Sequence, residues 1–314
     1  MSDFIETLKV NGYAKITSVF NDQEKKKLHE YSTNILNEEI INYKDVPPTL
    51  INNDVEKYYN DKNIYTFFKT LNRNFIGHNE ELDQLFSNLF SKKEIKNYLK
   101  RILGEDYKLS TCMLRKADNN SDYMGLHCDN NFSFTMSILC NDIGENHPTT
   151  VFIPSSHKFN YNFRNEIERL NPEYFSYLTK SSLGEIGDIN CFFNKTIHGI
   201  KKSSKKKEFS NTIWLLNFHR NSDKKQRTLL LPEYSNYGKK MVDIFSNEAL
   251  NLFELKKDSR VFKNNINRDC LIENINKKNR YSLKQIIMLN FLKFVSLNIK
   301  LIRKILYFKS YWKT

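Results

Sequence analysis

Gly125 to Asn131 reads GLHCDNN and sets an imidazole and a carboxylate two residues apart, at His127 and Asp129, with Cys128 between them. In extended chain, residues i and i+2 point to one side, so the two polar groups converge while Cys128 turns away. That spacing suits two ligands of one metal ion. Two histidines and one carboxylate that leave coordination positions open are the donor set of non-haem Fe(II) oxygenases. In a loop the same pair also serves as a turn or a surface hydrogen bond, so a second histidine has to be found. His29 lies in helical sequence, His78 and His147 in polar loop sequence, His157 in the turn PSSH, and His219 at the far end of an apolar run. His198 ends the stretch GDINCFFNKTIH, where an apolar strand leads through a short polar segment to a histidine followed by glycine. It has the most ligand-like position of the six.

The elements that would position these groups change character along the chain. Residues 5–110 show mainly helical periodicity: NDQEKKKLHEYSTNIL opens at Asn21, a favourable N-cap, and SNLFSKKEIKNYLKRILG ends at Gly104. From Tyr107 to Phe218 come short strand-like runs, YKLSTCML, FSFTMSILC, TTVFIP, DINCFF and NTIWLLNF, divided by Gly, Asn, Asp and Pro. Several short strands without intervening helices point to a sandwich or barrel. Beyond Asn221 the pattern is helical and basic.

Charge sharpens this division. The formal net charge is +13, of which residues 221–314 hold +12 and residues 1–220 only +1. The strand-rich part is near neutral, which argues against a nucleic-acid partner. The five cysteines are odd in number and contain no CxxC pair, and MSDFIETLKV has no apolar run of signal-peptide length. A cytoplasmic protein without a disulfide framework is expected.

The stretches NGYAKITSVFNDQEKKKL, GLHCDNN, GENHPTTVFIPSSHKF and GDINCFFNKTIHG occur in that order. Together, over roughly residues 5–218, they resemble the phytanoyl-CoA dioxygenase family of Fe(II)- and 2-oxoglutarate-dependent oxygenases, which includes ectoine hydroxylase. The resemblance implies a mainly β, α+β architecture: a double-stranded β-helix, or jelly roll, with N-terminal helices over residues 1–220 and a basic helical C-terminal extension over 221–314. It makes His127, Asp129 and His198 the iron ligands, with Fe(II) as the metal and 2-oxoglutarate and O2 as cosubstrates. The presence of Asp129 disfavours the halogenase variant, in which a smaller residue vacates that position. It also reads Cys128 as a spacer and His157 as structural.

One departure bears on the cosubstrate. Members of the family carry an arginine about eleven residues after the second histidine, paired with the distal carboxylate of 2-oxoglutarate. Here that region is KKKEFSNTIW, with Phe209, Ser210 and Asn211 in its place. Three explanations compete. Asn211 or Ser210 together with Lys207 holds the carboxylate; or Arg115 of TCMLRKAD does so, with Thr111 four residues earlier on the same strand face; or 2-oxoglutarate is not used. Arg115 also reads as a solvent-facing charge at a sheet edge. The lysine runs 201–202 and 205–207 read as solvated loop.

The C-terminal sequence is the second informative feature. Residues 280–314 hold eight Lys and Arg and no acid, yet contain no uninterrupted run of 18 apolar residues. A spanning helix is not expected. A basic amphipathic helix over 281–314 lies either on an anionic membrane surface, with Tyr307, Tyr311 and Trp312 at headgroup depth, or against protein. Two functions follow: an oxygenase acting on a small-molecule, lipid-linked or glycan-precursor substrate, cytoplasmic or peripheral on the inner face of a membrane; or a binding module without turnover on the same scaffold.

Overall fold

Asn21 and Glu24 start the long second helix with a reciprocal cap. The Asn21 Oδ1 accepts from the Glu24 N–H at 2.9 Å, and Glu24 Oε2 accepts from the Asn21 N–H at 2.9 Å. The computed structural model describes residues 2–42, 69–71, 75–117, 124–129, 133–159, 171–203, 209–220 and 228–255, together with Ile287, Asn290, Phe291 and Phe294. Lys207 and most of 281–314 lie outside the described residues.

Among the described residues four helices precede the strand-rich part: α1 (Ser2–Asn11), α2 (Asp22–Asn42), α3 (Glu80–Ser91) and α4 (Lys93–Leu103). The last two read as one run in the sequence. Lys92 divides them, with φ −61° and ψ 124° where a helix would need a negative ψ. Gly104 ends α4 at φ 96°, a conformation open mainly to glycine.

The strands are β1 (Tyr13–Ile16), β2 (Lys69–Leu71), β3 (Tyr107–Ala117), β4 (Met124–His127), β5 (Phe134–Leu139), β6 (Thr149–Phe152), β7 (Lys180–Ser181), β8 (Ile189–Phe193), β9 (His198–Lys201), β10 (Asn211–Arg220), β11 (Leu230–Leu231) and β12 (Glu254–Leu255). Six form one sheet in the order β1-β8-β5-β10-β3-β2, and four form a second in the order β4-β9-β6-β7. All pairings within these two sheets are antiparallel. From β3 to β10 the chain passes repeatedly from one sheet to the other.

Alternation gives the larger sheet two different faces. Cys112 and Leu114 of β3, Met136 and Ile138 of β5, and Trp214 and Leu216 of β10 join Leu82, Phe86, Leu89 and Leu99 of the helices in the main core. Trp214 is fully buried, meets Phe86 edge-on at 5.3 Å and donates its Nε1–H to Ser32 Oγ at 2.8 Å. The opposite face carries Thr111, Met113 and Arg115 on β3, Thr135, Ser137 and Leu139 on β5, and Ile213, Leu215 and Asn217 on β10. That face looks towards the four-stranded sheet, as the packing of Phe192 against Phe152 at 5.1 Å records.

Residues 228–255 return to the same core. Leu231, Met241, Ile244, Phe245, Leu252 and Phe253 are buried in it. The Tyr237 hydroxyl donates to Asp83 of α3 at 2.5 Å, and Asp83 also accepts the Gly77 N–H at 3.0 Å. Burial, opposed by these two bonds, raises the Asp83 pKa to about 7.

Candidate metal centre

His127 ends β4 and His198 begins β9, and the register sets them directly opposite one another. Cross-strand partners of this kind bring their side chains together on one face, and the two rings lie 4.3 Å apart. Asp129 follows two residues later. Its N–H donates to the Asn194 carbonyl at 3.1 Å, which fixes it beside the turn leading to His198.

Hydrogen bonding decides which ring nitrogens are available. His127 Nδ1 lies 2.8 Å from the Gly125 carbonyl and His198 Nδ1 lies 2.9 Å from the Thr196 carbonyl. A carbonyl oxygen only accepts, so each Nδ1 carries the proton and each Nε2 keeps its lone pair. Both lone pairs face one carboxylate: His127 Nε2 is 3.6 Å from Asp129 Oδ1, and His198 Nε2 is 3.5 Å from Asp129 Oδ2. The three donors lie within 4.8 Å of one another, the one such group of histidine, cysteine and carboxylate donors among the described residues. Nitrogen and carboxylate donors each about 2.1 Å from a shared ion stand roughly 3–3.5 Å apart. The set therefore fits a single metal ion, with the Nδ1 carbonyl bonds fixing ring orientation as in known metal sites.

Burial tunes the same groups. The His198 pKa is lowered to about 4, first by burial and then by His127, against the opposing pull of Asp129 and the Thr196 carbonyl. Its imidazole is thus held in the neutral, ligating form. Phe192 and Phe152 pack on it, with ring centroids at 4.8 and 6.3 Å. Cys128 turns away, its thiol donating to the Lys195 carbonyl at 3.5 Å.

Arg115 does not stand at a sheet edge. β3 runs between β2 and β10, with Thr70 and Ile213 opposite Arg115. The side chain is half-buried, its Nε is fully buried, and it lies on the face turned to the second sheet. Burial lowers its pKa and the Asp129 carboxylate raises it. The guanidinium is therefore within electrostatic reach of the metal-ligand set and stays charged.

Thr111 shares that face. Its Oγ1 accepts from Asn217 Nδ2 at 2.6 Å, and Asn217 Oδ1 accepts from Thr135 Oγ1 at 2.7 Å. This chain across β3, β10 and β5 was not singled out from sequence, although the alternation in FSFTMSILC and NTIWLLNF places Thr135 and Asn217 inward. Asn211 opens β10 on the same face, buried, with its Oδ1 lacking a hydrogen-bond partner. The Ser210 carbonyl accepts from Asn141 Nδ2 at 2.8 Å. His157 lies apart from the centre, its ring bonded through Nε2 to the Lys9 carbonyl at 3.1 Å.

No family model matches the chain, and no curated protein matches it in sequence. Among solved structures it is similar to apo HygX from Streptomyces hygroscopicus, at 11% identity over 73% of this chain and 90% of that one, with a TM-score of 0.50. HygX with nickel and 2-oxoglutarate bound aligns over 70% of this chain and 87% of that one, at 11% identity and a TM-score of 0.49. EvdMO1 aligns at 13% identity over 70% of this chain and 50% of that one, with a TM-score of 0.50. At these identities the likeness to apo HygX and EvdMO1 speaks to the fold alone.

Proposed function

We propose that the chain is a non-haem Fe(II)- and 2-oxoglutarate-dependent oxygenase acting on a small molecule, built on a double-stranded β-helix. The observation that carries this reading is the donor set: two Nε2 lone pairs from facing strands, each fixed by a backbone carbonyl at Nδ1, converging on one carboxylate. HygX, whose fold is similar, is a protein that binds nickel and 2-oxoglutarate. The alternation of β3 to β10 between the two sheets supports the β-helix.

In this reading His127, Asp129 and His198 hold the metal, and Arg115 with Thr111 holds 2-oxoglutarate. Bound there, Fe(II) would supply a centre for O2 chemistry in which O2 is the oxidant, 2-oxoglutarate gives up two electrons and leaves as succinate and CO2, and the substrate gives up the other two. The chain's own residues do the rest. The Gly125 and Thr196 carbonyls keep both imidazoles in the ligating tautomer. Phe152 and Phe192 shield His198 from water. Arg115 offers a buried cation to a dicarboxylate, and the chain Thr135–Asn217–Thr111 fixes the Thr111 hydroxyl on the same face of β3. The anchor thereby moves from the last strand of the barrel to the first.

A binding module without turnover is the second reading, favoured by the asparagine that opens β10 where the family has its arginine. Anaerobic titration of the Fe(II)-loaded protein with 2-oxoglutarate separates the two. A weak visible charge-transfer band that saturates with 2-oxoglutarate is expected for bidentate chelation. Iron binding without such a band would favour the binding module.

A further inference from the structure

Residues 171–178 cover the outer side of the four-stranded sheet. The Cγ of Pro172 stands 3.0 Å from where a Cβ on Gly199 of β9 would lie, so this segment is seated closely on the strand. It turns two aromatic rings outward: Tyr174 and Tyr177 are 63% and 61% exposed. Phe291 meets Tyr177 edge-on, with ring centroids 6.0 Å apart. Ile287, Phe291 and Phe294 have helical backbone and stand at i, i+4 and i+7, the spacing that lines one side of a helix. They too are exposed, by 62%, 45% and 66%.

Five large apolar side chains are thus exposed on two segments that meet through Tyr177 and Phe291. Exposed apolar side chains gathered in this way mark a partner or a membrane. Charge decides which. The sequence that carries Ile287, Phe291 and Phe294 holds eight Lys and Arg and no acid over residues 280–314, which favours an occupant that offers both apolar matter and negative charge. A lipid surface with anionic headgroups offers both, and tyrosine suits the depth where they meet. Among the described residues no helix is long and apolar enough to cross a membrane.

We propose that Tyr174, Tyr177, Ile287, Phe291 and Phe294 form a docking face for an anionic lipid surface. The test is sedimentation of the full chain with vesicles of phosphatidylcholine alone and of phosphatidylcholine mixed with phosphatidylglycerol. The parent should partition onto the mixed vesicles and weakly onto the neutral ones, and added salt should release it as it screens the headgroups. Phe291→Ser with Phe294→Ser should lower partitioning by about tenfold or more, by loss of inserted apolar surface. Neutralising Lys293, Lys300, Arg303 and Lys304 to Gln should lower it by about a hundredfold on mixed vesicles only. Tyr177→Ser, placed on the body of the protein, gives an apolar variant independent of the tail. Circular dichroism melts confirm that each variant is folded. Equal partitioning onto neutral vesicles, or no partitioning of the parent at all, would overturn the proposal. So would phenylalanine variants that bind vesicles as the parent does while a dimer becomes monomer, since a second copy would then be the occupant.

Discussion

Lowering the pH from 7 to 5 should destabilise the fold by about 2 kcal/mol through His157 alone, given its pKa of about 4 against 6.5 for a free histidine. Burial is the main cause, joined by the cations of Lys158 and Lys195, while the Lys9 carbonyl pulls the other way. Because the folded value is depressed, the unfolded chain takes up the proton first. Stability is therefore complete above about pH 6.5 and drains at about 1.4 kcal/mol per pH unit towards pH 4. His157→Gln keeps an N–H for the Lys9 carbonyl and removes the titration. The assay is urea unfolding of metal-free parent and variant at pH 7, 6 and 5. Asp83 and His198 also titrate with displaced values, but they are common to both proteins and cancel in the difference. The parent's advantage over the variant should shrink by about 2 kcal/mol between pH 7 and 5. A difference constant to within about 0.5 kcal/mol, the usual additivity error, would refute the buried, neutral histidine. The consequence reaches the candidate metal centre. Ser156 Oγ accepts the Ile197 N–H at 2.8 Å, and Thr196 Oγ1 donates to the Gly12 carbonyl at 2.7 Å, so the turn beside His157 holds the residues that deliver His198.

Three further outcomes are expected. His127→Ala, Asp129→Ala and His198→Ala should each abolish stoichiometric Fe(II) binding while leaving the melting curve of the metal-free protein largely intact; iron retained by all three would remove the site assignment. Arg115→Ala should weaken 2-oxoglutarate binding by at least about thirtyfold, the low end for truncating one partner of a buried charge pair, with Fe(II) affinity nearly unchanged. Unaltered 2-oxoglutarate affinity would shift the anchor to Asn211 or Lys207. Gly12→Ala should cost about 2 kcal/mol or more, read as a lowered melting temperature. Gly12 sits at φ +83°, and an added Cβ would stand 2.3 Å from His157 Nδ1.

Physical reasons separate what the sequence disclosed from what it hid. Long periodic stretches were legible: the helix cap at Asn21, the C-cap at Gly104, and the extended runs that became β3, β5, β6, β8 and β10 all depend on neighbours within a few residues. The two strands that hold the metal donors, β4 and β9, are four residues each and carry no alternation long enough to count. His127 and Asp129 could be joined because their spacing of two is itself a statement about one face. The link from His127 to His198 is a register between residues 71 apart, to which the place of His198 after an apolar strand and the order of motifs in a resembled family pointed. Arg115 shows the same limit from the other side. Its own strand gives it a face, but whether that strand is an edge depends on β2 and β10 pairing along both flanks of β3, and whether that face meets water depends on the second sheet packed over it. The Arg115 guanidinium then lies between two sheets within electrostatic reach of the Asp129 carboxylate, and this is why the arginine absent from the start of β10 is sought on β3 rather than in the lysine run before it.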